Sequence, residues 1–309
     1  MNFDKKEVSN SVQLSALLEV SAPKPGNVNR YNDMSNLSFE QFLGASVSIG
    51  PVAEKSFELG KNGNIESNLG ILFEEAVMET NKWQRGRNPN FGIITLTIPI
   101  CAALGQIKAN KNSKILDKDL NSIGNKVTSI LSKSNTKDTI NYYKAIKKAN
   151  PKGLKKTDKY DVHSDKGKKE IKKDNINLLK LFQLSKNREI VMEDLSNNLN
   201  IILNEAYPQL RKTYFKTKNL PGSITETFLQ ILSNHKDTLI ARKTTKEKSE
   251  EISQNAEDLI NSGGYFNNKK GYKKLDKKLR KTQNLNPGST ADLTYGSILF
   301  LLLRDEVRP

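Results

Sequence analysis

Residues 91–104 read FGIITLTIPICAAL, and this stretch decides the fold. It is apolar on nearly all sides, so we expect it to be buried. Its β-branched residues would also suit a strand. Its length and the polar motif before it favour a helix instead, kinked at Pro99 because proline removes a backbone donor. The stretch therefore indicates a protein of packed helices.

Helical spacing of apolar residues continues on both sides of this stretch. Ser38 with Gln41 has the pattern of a capping box, and so does Ser223 with Glu226. No alternation of strand and helix patterns stands out, and no internal repeat does. We predict an all-α fold, a single domain of packed helices over residues 1–309. The predicted helices lie near residues 14–22, 38–49, 69–83, 91–104, 120–131, 223–232, 247–260 and 288–303.

The net charge of +16 is concentrated in two segments. Residues 144–180 hold thirteen lysines and five acidic residues, a net charge of +8, and residues 269–281 hold eight basic residues and one acidic residue, a net charge of +7. Each segment has a single tyrosine, Tyr160 or Tyr272, so neither has an aromatic series for stacking on bases. We expect solvated, lysine-rich surface there, with an internal loop near residues 150–173.

The composition also limits the setting in which the protein works. Cys101 is the single cysteine, which rules out an internal disulfide and fits a reducing compartment. Two histidines and one cysteine are too few for a structural zinc site. No signal-peptide pattern is present, and the longest apolar run, Ile298–Leu303, is too short to span a bilayer. We therefore expect a cytoplasmic protein.

Four polar clusters stand at the ends of apolar helices. The first, Pro23–Arg30 and on to Asp33, is a rigid loop in which Lys24 and Arg30 suit a phosphate-rich ligand. An ordinary helix-ending turn is the alternative. The second, Gly86–Gly92, precedes the buried helix, where backbone N–H groups favour an anion and two asparagines both donate and accept. A plain asparagine N-cap explains it equally well.

The third and fourth clusters lie in the C-terminal half of the chain. The third reads HKDTLIARK from residue 235, and on a helix Asp237 would lie near Arg242. Such a pair is more often structural than catalytic. The fourth reads NPGSTAD from residue 286, where Ser289 opens the last helix and Asp292 suits its first turn as a cap. Each cluster alone therefore has a structural explanation.

Together and in this order, the clusters resemble the triphosphoribosyl-dephospho-CoA synthase family. The matching text is LEVSAPKPGNVNRYNDM, GRNPNFGIITLTIPICAAL, DTLIARK and LNPGSTADL. The resemblance extends from about Ser11 to Leu303, and PKPGNV and NPGSTAD are its more specific parts. A further stretch, GLKKTDKYDV, ends at Asp161-Val162 and looks like the archaeal-type branch of this family.

The resemblance implies an all-helical enzyme that transfers a glycosyl group. In the characterised branch, ATP gives its triphosphoribosyl group to the 2′-hydroxyl of 3′-dephospho-CoA, and adenine leaves. The product is the precursor of the prosthetic group on acyl carrier proteins of citrate or malonate lyase systems, so a carrier-protein pathway is implied. ATP is then a substrate, and Mg²⁺ is expected on carboxylates beside its phosphates.

The motif match also implies candidate site residues. Phosphate groups are expected at Lys24, Arg30 and Arg242. Further nucleotide contacts are expected at Gly26, Asn27, Asn88, Asn90 and Ser289. Four carboxylates are candidates for the base or for Mg²⁺, namely Asp33, Asp161 and Asp237 as catalytic groups and Asp237 and Asp292 as metal ligands.

The second cluster departs from the characterised branch, which reads Asn-Thr-His-Lys-Gly where this chain has NPNFG from residue 88. The imidazole and the cation are absent. An enzyme of the same fold that uses another phosphoribosyl donor or acceptor in a coenzyme pathway therefore stays open, as does a basic nucleic-acid-binding helical protein. Phe91 would either face the acceptor or the purine, or pack in the core beside Ile94 and Trp83.

Overall fold

The computed structural model describes residues 4–66, 68–108, 115–282 and 285–309, and within these ranges it contains α-helices and one π-helical segment but no strand. This confirms the all-α fold, while the boundaries of one domain over residues 1–309 stay a prediction. The helices are α1 (Lys5–Ser21), α2 (Phe39–Ser48), α3 (Gly50–Lys61), α4 (Leu69–Trp83), α5 (Phe91–Lys108), α6 (Asp117–Lys133), α7 (Thr136–Ala149), α8 (Asp165–Lys173), α9 (Leu178–Ser185), α10 (Ile190–Ser196), the π-helical segment (Ile202–Ala206), α11 (Tyr207–Thr217), α12 (Leu220–Asn234), α13 (Thr238–Lys243), α14 (Lys246–Asn261), α15 (Gly264–Asn267), α16 (Lys269–Arg280) and α17 (Gly288–Leu303).

The stretch that decides the fold is a helix, α5, with Pro99 inside it. Its apolar side chains are buried, and the helix packs against α3, α4, α6 and α17. The backbones of α3 and α5 meet directly, since a Cβ at Gly60 would overlap the carbonyl of Ala102 and a Cβ at Gly105 would overlap that of Phe57. Only glycine permits so close a crossing, which holds α5 in the centre of the protein.

Two hydrophobic clusters of unequal size hold the helices together. The larger one contains the buried faces of most helices from α1 to α11 and most of α17. The smaller one joins α12, α13, α14 and α16. The first residues of α17 border both clusters, because Ala291 packs on the smaller one and Leu293 belongs to the larger one. The N-terminal end of α17 therefore lies where the two groups of helices meet.

Most of the predicted helix ends are confirmed. The first helix ends at Ser21, as the following prolines predict, and Ser38 with Gln41 forms the capping box of α2. The second predicted capping box, Ser223 with Glu226, is wrong. Asn219 caps α12 by accepting a hydrogen bond from the backbone N–H of Gly222. The helix begins at Leu220, whereas a cap at Ser223 would start it four residues later.

The lysine-rich segment contains less loop than the sequence suggests. Residues 150–164 are mostly irregular, but Asp165–Lys173 forms α8. Ser164 caps this helix by accepting from Gly167 N at 2.9 Å, and Ile171 is its buried apolar anchor. One buried isoleucine among lysines is too weak a periodic signal to separate a helix from a solvated loop. Among the described residues, no helix is long and apolar enough to cross a membrane.

Candidate active site

A cavity opens at the N-terminal ends of α5 and α17, where parts of all four polar clusters meet. Its wall is completed by the loop after α1, by the last residues of α13, by Glu189 before α10, and by residues 150–154 after α7. The lining contains carboxylates, cations and apolar side chains.

A buried ion pair lies behind one wall of the cavity. The Lys24 ammonium is 2.9 Å from Glu19 Oε1, and it also donates to the backbone carbonyls of Glu19 and Ala22. Lys24 is 0 % exposed and Glu19 is 3 % exposed, yet only Glu19 lines the cavity. Burial raises the pKa of Glu19 and lowers that of Lys24, and the opposite charge of the partner works against both shifts.

The loop that carries Lys24 is fixed by the C-terminal helices. Gly26 N donates to Asp276 Oδ1 at 2.8 Å, and Asn27 Nδ2 donates to the carbonyl of Pro287 at 3.1 Å. Gly26 has φ +76°, and a Cβ there would lie 2.7 Å from Leu279 Cβ. The residue must therefore be glycine both for its backbone conformation and for its contact with α16.

Asp292 presents an unpaired carboxylate to the cavity. It is partly buried, and within the described part of the chain no hydrogen bond or ion pair is found for it. It packs on the Cα of Gly92, where a Cβ would overlap the carboxylate. Burial, and next the charge of Glu19, hold the pKa of Asp292 well above its ordinary value. A cation, or a hydrogen-bond donor from a ligand, would stabilise the ionised form of Asp292 and so lower its pKa.

Asp237, not Asp292, caps the last helix. Asp237 Oδ2 accepts from Thr290 N at 2.8 Å and from Thr290 Oγ1 at 2.9 Å, and Asp237 Oδ1 accepts from Ile240 N at 2.9 Å at the start of α13. The expectation that Asp292 caps α17 is therefore wrong, because the cap comes from a distant part of the chain. Asp237 is buried, does not line the cavity, and uses both oxygens within the protein.

Four cations line the cavity: Arg87, Lys152, Arg242 and Lys243. Arg242 forms an ion pair with Glu189, not with Asp237. Lys243 donates to the side-chain oxygen of Asn286. Burial, and next the positive charge of Lys152, lowers the pKa of Lys243 to about 8. These four side chains carry more positive charge than Glu189 neutralises, which is typical of an anion-binding site.

The apolar part of the lining is built around two aromatic rings. Phe91 and Tyr142 stack with centroids 5.8 Å apart and planes at 30°. Tyr142 is fully buried against Phe73 and Phe182, so its position is fixed by the core. Phe91 is partly buried and lines the cavity, whereas Trp83 lies exposed on the surface. Phe91 therefore combines the two predicted environments, because it packs on the larger hydrophobic cluster and also lines the cavity.

The structure brings only some of the predicted site residues to the cavity. The lining includes Asn27, Asn88, Arg242, Ser289 and Asp292, and it does not include Lys24, Gly26, Arg30, Asp33, Asn90, Asp161 or Asp237. Asn88 Nδ2 is buried without an acceptor among the described residues. Ser289 Oγ accepts from Thr238 Oγ1 at 2.8 Å and from Leu239 N at 3.2 Å, so it also joins α13 to α17.

The predicted residues outside the lining have local structural contacts. Arg30 is exposed and donates to the carbonyl of Ser21, and Asp33 Oδ1 accepts from Phe39 N at 2.8 Å. Asn90 is buried and donates to the carbonyl of Ala45 at 3.1 Å. Asp161 Oδ1 accepts from His163 N at 2.9 Å in the turn before α8.

Several lining residues were missed by the sequence reasoning. Glu19, Arg87 and Lys243 lie inside the text that matches the family, so the motif match could have identified them. A lone glutamate on an apolar helix does not by itself indicate an ion pair. Glu189 lies in residues 187–189, which resemble the family only weakly. Lys152 is one lysine among thirteen in its segment, and nothing in the sequence distinguishes it from the others.

Comparison with known proteins identifies the family of the chain. The family model described as ATP:dephospho-CoA triphosphoribosyl transferase matches residues 5–308. A solved structure from Archaeoglobus fulgidus, assigned provisionally as a triphosphoribosyl-dephospho-CoA synthase, superposes with a TM-score of 0.62 at 21% sequence identity, covering 85% of this chain and 98% of its own. At that identity it shows a shared fold. No curated protein sequence gives a significant match. Because the family model spans nearly the whole chain, the protein belongs to the ATP:dephospho-CoA triphosphoribosyl transferase family of enzymes.

Proposed function

We propose that the cavity is where this protein carries out the reaction of its family, with ATP as the donor of the triphosphoribosyl group and 3′-dephospho-CoA as the acceptor. One observation carries the proposal: a single cavity is lined by four cations and by the unpaired carboxylate of Asp292. The cations suit a triphosphate, and carboxylates suit the reacting sugar.

The nucleotide is proposed to bind with its phosphates near Arg242 and Lys243. Both side chains lie at the end of α13 and line the cavity. Asn88 supports the proposal because its buried amide nitrogen has no acceptor among the described residues and is available to an acceptor on the ribose or the purine. Asn27 and Ser289 contribute as lining residues. We assign Lys24 an indirect role, since its ammonium is enclosed by Glu19 and backbone carbonyls.

The chemistry requires a group that accepts the proton of the attacking hydroxyl. As the C1′–N9 bond of ATP breaks, positive charge develops on the ribose, and adenine leaves with the bonding electrons and takes up a proton. The bond from the acceptor oxygen to C1′ forms, and the hydroxyl proton must be removed. Glu19 and Asp292 are the lining carboxylates that Arg242 does not pair, so we place this role on one of them.

Mg²⁺ fits the same pair of carboxylates. No cluster of three or more metal-ligating side chains occurs in the described ranges. Mg²⁺ commonly needs only one or two carboxylates together with substrate phosphates and water. Asp292 with Glu19 meets that requirement, whereas both oxygens of Asp237 are engaged as helix caps. Bound there, Mg²⁺ would neutralise charge on the phosphates.

The test is incubation of the protein with ATP, Mg²⁺ and 3′-dephospho-CoA, followed by mass detection of adenine and of the triphosphoribosyl adduct. Glu19→Gln and Asp292→Asn should each lower turnover by at least a hundredfold. A loss that higher Mg²⁺ concentration relieves marks the metal ligand, and a loss that persists marks the base. Absence of adenine release from the wild-type protein under all conditions would contradict the proposed reaction.

A second candidate is the same transfer to a different acceptor. It is favoured by Phe91, whose ring lines the cavity where the characterised branch carries an imidazole and a cation. Competition between 3′-dephospho-CoA and other hydroxyl-bearing coenzyme precursors for ATP-dependent adenine release decides between the two acceptors. If the first candidate holds, the product is transferred onward to a carrier protein. The same candidate reaction also leads us to propose a cytoplasmic location.

A further inference from the structure

The lysine-rich segment contributes one side chain to the cavity, and this separates Lys152 from its neighbours. Asn150 ends α7 with a left-handed conformation, φ 47°, and its N–H donates to the carbonyl of Ile146. Two residues after Lys152, Leu154 packs on the larger hydrophobic cluster. Lys152 therefore projects from a short turn that is anchored at both ends.

The turn lies directly on Arg242. Gly153 has φ +80°, and a Cβ there would lie 3.1 Å from Arg242 Cβ and 3.2 Å from the Arg242 carbonyl carbon. This contact explains why the segment needs glycine at that position. It places the turn over the end of α13, so that Lys152 faces the same space as Lys243.

The charges in this part of the cavity are not balanced by the protein. Glu189 neutralises Arg242, and Lys24 neutralises Glu19. Lys152, Arg87 and Lys243 have no ion-pair partner among the residues that the structure describes; Lys243 donates to the neutral amide of Asn286 and is attracted by the charge of Asp237. Three cations thus line one cavity without an ion-pair partner, Arg87 among them exposed to solvent, and such a group of like charges favours a bound polyanion.

We propose that Lys152, acting with Arg87 and Lys243, binds the polyphosphate chain of the nucleotide, and that the turn at residues 150–154 is therefore part of the donor site. The proposal deepens the proposed function and rests on it for the identity of the nucleotide. It also divides the lysine-rich segment into one binding residue and a surrounding solvated surface. Three cations recognise charge density, so affinity should rise steeply with the number of phosphates.

The experiment measures binding of inorganic tripolyphosphate by titration calorimetry at constant ionic strength. Lys152→Gln should weaken binding about tenfold or more, the effect of losing one charge-assisted hydrogen bond. Lys152→Arg should keep most of the affinity because it retains the charge. The matched control is Lys169→Gln, which removes the same charge from an exposed position of α8 and should change affinity less than twofold. Circular dichroism confirms that each variant is folded.

Three results would overturn the proposal: unchanged affinity in Lys152→Gln, an equal loss in Lys169→Gln, or absence of tripolyphosphate binding by the wild-type protein. An equal loss would mean that only the net charge of the segment matters. None of these measurements uses an acceptor or requires adenine release. A failure of the proposed transfer reaction is therefore distinguishable from a failure of the phosphate site.

Discussion

Replacement of Lys24 by methionine separates a structural role of this lysine from a direct contact with phosphate. In the structure the ammonium is fully enclosed and lies 2.9 Å from Glu19 Oε1. Removing it leaves an uncompensated carboxylate that is 3 % exposed, and such losses cost about 3–5 kcal/mol. We expect Lys24→Met to lower the free energy of unfolding by about 3 kcal/mol. This is the lower end of that range, because Glu19 borders the cavity.

The pH dependence of this loss has a definite sign. Burial already raises the pKa of Glu19, and without the ammonium it rises further. The folded variant then binds a proton more readily than the unfolded chain does, so the destabilisation shrinks as the pH falls. Urea unfolding at pH 5 and pH 8 measures this difference. The double variant Glu19→Gln with Lys24→Met should recover at least half of the stability lost at pH 8, because no buried charge remains.

Binding of ATP provides the decisive comparison. Lys24→Met should change the dissociation constant of ATP less than threefold, since the ammonium makes no contact with the cavity. A lysine that donates directly to a phosphate would lose about tenfold or more. Unchanged stability together with a large loss of ATP affinity would refute the structural role. Equal destabilisation of the single and double variants would show that the two groups are not coupled.

Three further predictions follow from single contacts in the site. Affinity for ATP should fall as the pH rises through about 8, because Lys243 loses its charge there; Lys243→Met should bind weakly and lack this change in calorimetric titrations between pH 7.5 and 9.5. Asp237→Ala should lower the free energy of unfolding by about 2–4 kcal/mol in urea, because it removes caps of α13 and α17; stability within 0.5 kcal/mol of wild type, about the ordinary scatter of surface substitutions, would contradict the double-cap role. Gly92→Ala should reduce adenine release at least tenfold in steady-state assays, because its methyl group displaces the carboxylate of Asp292; full turnover would show that this carboxylate position is not needed.

The fold was predictable because its signals are local. The spacing of apolar residues and the helix-breaking residues are signals that extend over only one or two helical turns. They indicate α1, α4, α5 and α17, and those helices are confirmed. Other helices, among them α3, α7, α11 and α16, were not predicted, and two further errors occur where a local pattern has a competitor. Asn219 followed by Pro221 starts α12 before the predicted cap at Ser223, and α8 carries too few apolar residues to stand out from a solvated segment.

The site was predictable only as a set of motifs, because its geometry depends on contacts between distant residues. The sequence places Asp237 and Asp292 in similar polar surroundings, yet one is a buried cap and the other an unpaired carboxylate in the cavity. Lys24 and Glu19 are five residues apart, and only the three-dimensional path of the chain decides which of them lines the cavity. Lys152 has no local signal at all.

The positions of these contacts explain why residues so far apart form one recognisable pattern. The start of α17 is held by the other three clusters: Asp237 bonds Thr290, Asn27 bonds the carbonyl of Pro287, and Gly92 receives the carboxylate of Asp292. Part of each motif is therefore needed to dock the motifs on one another, and only the remainder is free to contact substrates. A motif residue that does not line the cavity is then expected to affect stability first, and its effect on turnover should follow from displacement of Asp292.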